Sequence, residues 1–121
     1  MTKVRCGKQI IGDLGESLAR KYLEADGYTV LHTNWRHGHL EIDIIASKGD
    51  TLHIVEVKTQ SRTTAGYPEE QVNRKKLKNL IVAADHYQSF DKRWKHLQFD
   101  IFSIILGETE HDFLLIEDVY L

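Results

Sequence analysis

Leu40-Glu41-Ile42-Asp43-Ile44-Ile45-Ala46 and Thr51-Leu52-His53-Ile54-Val55-Glu56-Val57-Lys58, joined by Ser47-Lys48-Gly49-Asp50, decide how this chain folds. Both flanks are rich in β-branched residues, and Gly-Asp between two such runs signals a hairpin turn. With Gly49 and Asp50 as the turn residues, Lys48 pairs with Thr51, and counting back sets Asp43 opposite Glu56. Such a pair brings Cβ atoms to roughly 4.5–5.5 Å on one face. Alternation adds Glu41 to the face of Asp43 and Lys58 to the face of Glu56. A four-residue turn would leave the acids diagonal neighbours on the same side. A three-residue turn without a bulge would send them to opposite faces.

Two carboxylates facing each other across a strand pair repel, and burial disfavours their charge further. A cation between them removes the conflict, and Lys58 or a hard metal ion could serve. Magnesium takes oxygen ligands, usually one or two carboxylates with water and substrate phosphate completing the shell. Asp43 and Glu56 suit that role for Mg2+ or Mn2+, with Lys58 beside them to orient or deprotonate a water or to steady charge on a phosphate. The bare pattern equally fits a solvent-facing salt-bridge network of small energetic worth. The Ile- and Val-rich context tips the balance, because several acids on one face of such a strand suit a cleft.

Outward from the hairpin, Asp13 and Glu16 have capping-box spacing. Leu14, Leu18, Ala19, Tyr22 and Leu23 recur at helical intervals, with Gly27 as a stop, so a helix is predicted over 13–26. A strand over Tyr28–Asn34 follows. Beyond the hairpin a loop begins near Gln60 and ends at Pro68. Asn73 can cap a helix striped by Leu77, Leu80, Ile81, Ala84, Tyr87 and Gln88. Leu97–Leu106 and Phe113–Val119 read as closing strands. The order α-β-β-β-α-β-β predicts an α/β fold with a mixed central sheet flanked by helices.

At 121 residues the chain suits a single domain spanning 1–121. It shows neither a signal-peptide pattern nor a run of membrane-spanning length, and Cys6 is its one cysteine. A cytoplasmic protein with no membrane partner is therefore expected. The net charge of −2 weighs against broad nucleic-acid affinity. Local patches must supply it, and Arg74-Lys75-Lys76-Leu77-Lys78 and Lys92-Arg93-Trp94-Lys95-His96 are the two available.

Gly12-x-x-Gly15-Glu16-x-x-Ala19-x-x-Tyr22-Leu23, Gly27-Tyr28 and Asn34-Trp35-Arg36 resemble the opening of the YraN-like small bacterial proteins. The Glu41–Ala46 block, Gly49-Asp50-Thr51-Leu52, Val55-Glu56-Val57-Lys58-Thr59, Lys76 and Phe99-Asp100 continue the likeness over roughly residues 12–105. That family is similar to the PD-(D/E)XK nuclease superfamily, which includes the archaeal-type Holliday junction resolvases. The resemblance implies a restriction-endonuclease-like core that hydrolyses DNA phosphodiesters with magnesium, with branched DNA as one candidate substrate. In it Asp43 is the acid of the first motif strand, Glu56 and Lys58 are the Glu-x-Lys pair, and Glu16 approaches the same site. It also implies a homodimer. Leu40, Gln60 and Gln98 depart from the family at positions where glycine, arginine and a basic residue are usual, which weakens the basic side more than the acidic core.

Lys58, Arg62 and Lys76 are the basic side chains expected to meet nucleic acid. Glu16 has a plain alternative as a helix cap, and Lys76 as a side chain snorkelling from the core edge. Asp100, inside an apolar strand, reads as a buried partner for a basic group. His37 and His39 read as loop residues, since they lack the partners of a zinc site. Trp94 reads as a loop anchor. Against the endonuclease stand a non-catalytic nucleic-acid-binding module that keeps the fold and, third, a structural adaptor.

Overall fold

The computed structural model describes residues 7–61 and 74–119. Two helices and five strands follow the predicted order: α1 (Gly7–Ala25), β1 (Thr29–His37), β2 (Leu40–Lys48), β3 (Thr51–Ser61), α2 (Arg74–Phe90), β4 (His96–Leu106) and β5 (His111–Ile116). The strands form one sheet in sequence order, β1-β2-β3-β4-β5. β3 and β4 run parallel and every other pair antiparallel, so the sheet is mixed.

Ile42, Ile45, Leu52, Ile54 and Ile101 pack with Leu77, Leu80 and Tyr87 of α2. Ile44, Ala46, Val55, Phe102 and Ile104 pack with Ala19 and Leu23 of α1. Adjacent residues such as Ile54 and Val55 serve opposite clusters, so the sheet lies between the two helices, as strand alternation requires. In α2, Ala83 is buried where Ile81 was expected, and Ile81 is 38% exposed. An ideal stripe places both positions near its edge, and the twist of the sheet below selects between them.

The helix ends explain the departures from prediction. α1 begins at Gly7, so Asp13 is interior and no capping box forms with Glu16. Ile10, Ile11 and Leu14 extend the helical spacing towards the N-terminus, and Gly12 does not interrupt it. The stop at Gly27 is as expected. Its φ of 90° accompanies bonds from Gly27 N–H to Glu24 O (3.2 Å) and Tyr28 N–H to Leu23 O (2.9 Å), a Schellman closure. β1 runs on to His37, making His37 a strand residue. Gly38 (φ 63°) and His39 form a tight turn into β2. β3 continues through Ser61, past the expected loop start at Gln60, and β5 closes at Ile116. The loop to Pro68 and the Asn73 cap lie outside the described residues.

Asp100 meets the buried basic partner anticipated for it. His53 Nδ1 and Asp100 Oδ2 lie 2.7 Å apart, with side chains 6% and 0% exposed. Asp100 Oδ1 also accepts from Gln98 Nε2 (2.9 Å) and Asp118 N–H (3.0 Å), tying β3, β4 and the turn after β5 together. Asp100→Asn replaces an anionic acceptor with one carbonyl and an ill-placed donor. It should cost about 2 kcal/mol, read as a lower urea midpoint with an unchanged slope. Among the described residues, no helix is long and apolar enough to cross a membrane.

Candidate active site

The hairpin register is the two-residue one. Lys48 pairs with Thr51, and the ladder proceeds to Ile44↔Val55, one step short of Asp43 and Glu56. Gly49 takes the positive φ of 60° that the first turn position requires.

Beyond Ile44 the regular pattern stops. Strict alternation would put Ile42 and Ile44 on one face, yet Ile42 packs with the α2 cluster and Ile44 with the α1 cluster. The break falls at Asp43. On the neighbouring strand the pairs Thr33↔Ile44 and Trp35↔Ile42 bracket Asn34, whose φ is 52°. Asparagine tolerates that left-handed backbone better than most residues. Asp43 Oδ2 accepts the backbone N–H of Val57 at 2.9 Å, which ties its carboxylate to β3. Neither the break nor the role of Asn34 was readable from alternation; an asparagine inside a strand was the one available signal.

A cleft of about 520 Å³ opens where the two strands part. Glu41, Asp43, Glu56, Lys58 and Gln60 line it from the sheet, Glu16 with Ile11 and Gly12 from α1, and Lys76 from α2. The four carboxylates and two lysines singled out from the sequence therefore share one recess. Arg62 lies outside the described residues. Glu56 is 3% exposed, and its Oε1 lies 3.2 Å from Lys58 Nζ and 3.3 Å from Lys76 Nζ. Glu41 is turned outward to Arg36 at 3.3 Å. Lys75 is exposed, as expected, and Lys76 faces the cleft.

Burial, with the neighbouring Glu56 and Glu16 carboxylates adding to it, pushes the Asp43 carboxyl up to about 7. The Val57 N–H bond and Lys76 oppose that rise without cancelling it. Anionic charge here is thus under-compensated by the protein's own cations.

α1 reaches the cleft because it lies very close to β3. A Cβ on Gly15 would fall 1.8 Å from Thr59 Oγ1 and 2.8 Å from Thr59 Cβ. Only glycine permits that approach, and the next residue is Glu16.

The family model described as "Uncharacterised protein family UPF0102" matches residues 15–104. The chain belongs to the UPF0102 family. A UPF0102 protein of Parabacteroides distasonis is 44% identical over 110 residues, covering 91% of each chain. One from Bacteroides thetaiotaomicron is 46% identical over 99 residues, covering 82% of this chain and 81% of its own. One from Persephonella marina is 41% identical over 103 residues, covering 84% and 89%. The matched segment runs from the glycine contact of α1 through most of β4, so it contains every cleft residue from Gly15 onward.

Among the described residues of this UPF0102 chain, no three His, Cys, Asp or Glu side chains converge as a ready-made metal cage. The donor set fits magnesium in its usual mode, one or two carboxylates with water filling the rest. Asp43 and Glu56 would be the ligands, and the raised Asp43 carboxyl is the charge conflict that a dication relieves.

Proposed function

We propose that this UPF0102 protein is a divalent-metal-dependent endonuclease of the PD-(D/E)XK type acting on DNA, with branched DNA among its candidate substrates. The observation that carries the reading is the convergence of Asp43, Glu56 and Lys58 in one cleft whose acidic charge exceeds its local compensation. The resemblance of these three residues to the superfamily's motif supports the same assignment.

Asp43 and Glu56 would hold the ion. Bound magnesium or manganese lowers the pKa of water and polarises a phosphoryl oxygen. Lys58, with its side chain 24% exposed, lies at the solvent side of Glu56. There it orients the attacking water and steadies the charge that grows on the phosphate. Lys76 enters from the opposite wall, where it meets a neighbouring phosphate. Glu16 adds negative potential beside Asp43, so we assign it a positioning role at the metal.

The test is a panel of labelled duplex, single-stranded and four-way-junction DNAs incubated with the native protein in magnesium or manganese. Cleavage of at least one substrate is expected, lost in chelator. Lys58→Ala should lower the rate about a hundredfold, read from initial velocities on that substrate. One observation favours the second reading, a binding module without catalysis: Glu56 Oε1 is engaged by two lysines. Binding without cutting any substrate in manganese would establish that alternative.

A further inference from the structure

An exposed row of rings lies on α2 and the end of β1. His37 stacks with Trp35 (centroids 6.2 Å, planes 14° apart), meets His86 at 4.5 Å and approaches Phe90 at 6.3 Å. Tyr87, buried at 4% exposure, braces Trp35 and His32 edge-on from below. The outer rings are open: Phe90 is 73% exposed, and His37 and His86 are exposed as well. A ring exposed to that extent buries little of its surface in the core beneath it.

The row continues from the cleft. A second recess lined by His39, Asn79 and Leu80 shares Glu41 and Lys76 with the first. On α2, Lys76, Asn79, His86 and Phe90 fall along one side at helical spacing. The path from Lys76 to Phe90 is fourteen residues, about 21 Å at helical rise. That length corresponds to roughly six steps at the 3.4 Å spacing of one nucleic-acid strand. Arg36 holds Glu41, the acid on this route, at 3.3 Å, which lessens its repulsion of phosphates.

We infer that these rings form a stacking platform for the bases of a single strand whose backbone enters the cleft at Lys76. The inference rests on the proposed nucleic-acid function and specifies the partner as an unpaired strand that spans this distance in up to about six stacked nucleotides. Exposed aromatic faces near a lysine that can meet the backbone recognise such a strand without reading its sequence, because every base has a π-face.

Fluorescence anisotropy with labelled single-stranded oligonucleotides of four and ten nucleotides tests it. Calcium is present to occupy oxygen ligands, and oligonucleotide integrity is checked on a gel. The native chain should bind the ten-mer at least tenfold more tightly than the four-mer. Phe90→Ala with His86→Ala should remove that advantage while leaving four-mer affinity unchanged, and Phe90→Trp should keep it. Circular dichroism melting should match native for each variant, since both positions are exposed. Equal ten-mer binding by native and double variant overturns the platform, even if the protein cuts DNA. So does sedimentation that shifts with Phe90→Ala while ten-mer affinity does not, which would assign the rings to self-association. Failure of the native chain to bind any oligonucleotide or duplex sinks the nucleic-acid reading and the platform together.

Discussion

Asp43→Asn is expected to melt higher than the native chain at pH 8 in chelator, to gain nothing from magnesium, and to lose cleavage on the order of a thousandfold. The stability effect follows from the carboxyl's displaced titration. Its pKa rises from 3.8 to about 7 in the folded chain, so between those values the folded state binds more protons than the unfolded state. Stability therefore falls as pH rises through this window, and above it the penalty is complete. Asparagine cannot ionise, and its carbonyl can still accept the Val57 N–H. The variant should gain about 2 kcal/mol at pH 8, or roughly 5–10 °C in Tm. At pH 4, where the native carboxyl is protonated in the folded state, the difference should nearly vanish. Magnesium or manganese should restore the native chain at pH 8 by binding only the folded form, and should leave Asp43→Asn unmoved. A variant less stable than native at pH 8 in chelator would mean that Lys58 and Lys76 already satisfy the anion. The cleft would then be an ordinary salt-bridge network.

The second large effect concerns two glycines of one helix, with opposite signs. Gly12 has nothing within 4 Å of an added Cβ, so Gly12→Ala should stabilise by about 0.5–1 kcal/mol through helix propensity. Gly15→Ala carries the same propensity gain, yet its Cβ would meet the Thr59 side chain at 1.8 Å and 2.8 Å. α1 would have to lift from β3, opening the packing of Ala19 and Leu23 on Val55 and Phe102. A loss of about 3 kcal/mol or more is expected, which separates the two variants by roughly 4 kcal/mol in urea denaturation. Thr59→Gly should recover part of the loss in the double variant, because it removes both clashing atoms. Equal stability of the two alanine variants would show that α1 does not approach β3 as described.

Much of this architecture was open to local reasoning. Gly49-Asp50 and the flanking β-branched runs set a two-residue turn, and from that turn the pairing follows by counting as far as Ile44 and Val55, one step short of Asp43 and Glu56. Turn chemistry acts over a few residues, and its register holds through the ladder from Lys48 and Thr51 to Ile44 and Val55. Asp100 was likewise legible, because an acid between Phe99 and Ile101-Phe102 needs a partner if the strand is buried. The start of α1 was not: the Asp13-Glu16 spacing imitates a cap, and the helix runs on for fewer than two further turns to Gly7, with Ile10 and Ile11 in them.

What the sequence determined by itself is the set of elements, their order, the hairpin register and the identity of the acids and lysines available. Tertiary structure alone decided that β2 breaks its alternation at Asp43, that Gly15 lets α1 bring Glu16 to the cleft, and that Lys76 reaches Glu56 from α2. It also decided that His37, His86 and Phe90 form one row. Propensity and periodicity act between neighbours in the chain, whereas these four arrangements depend on where helices settle on a twisted sheet, which only long-range packing sets.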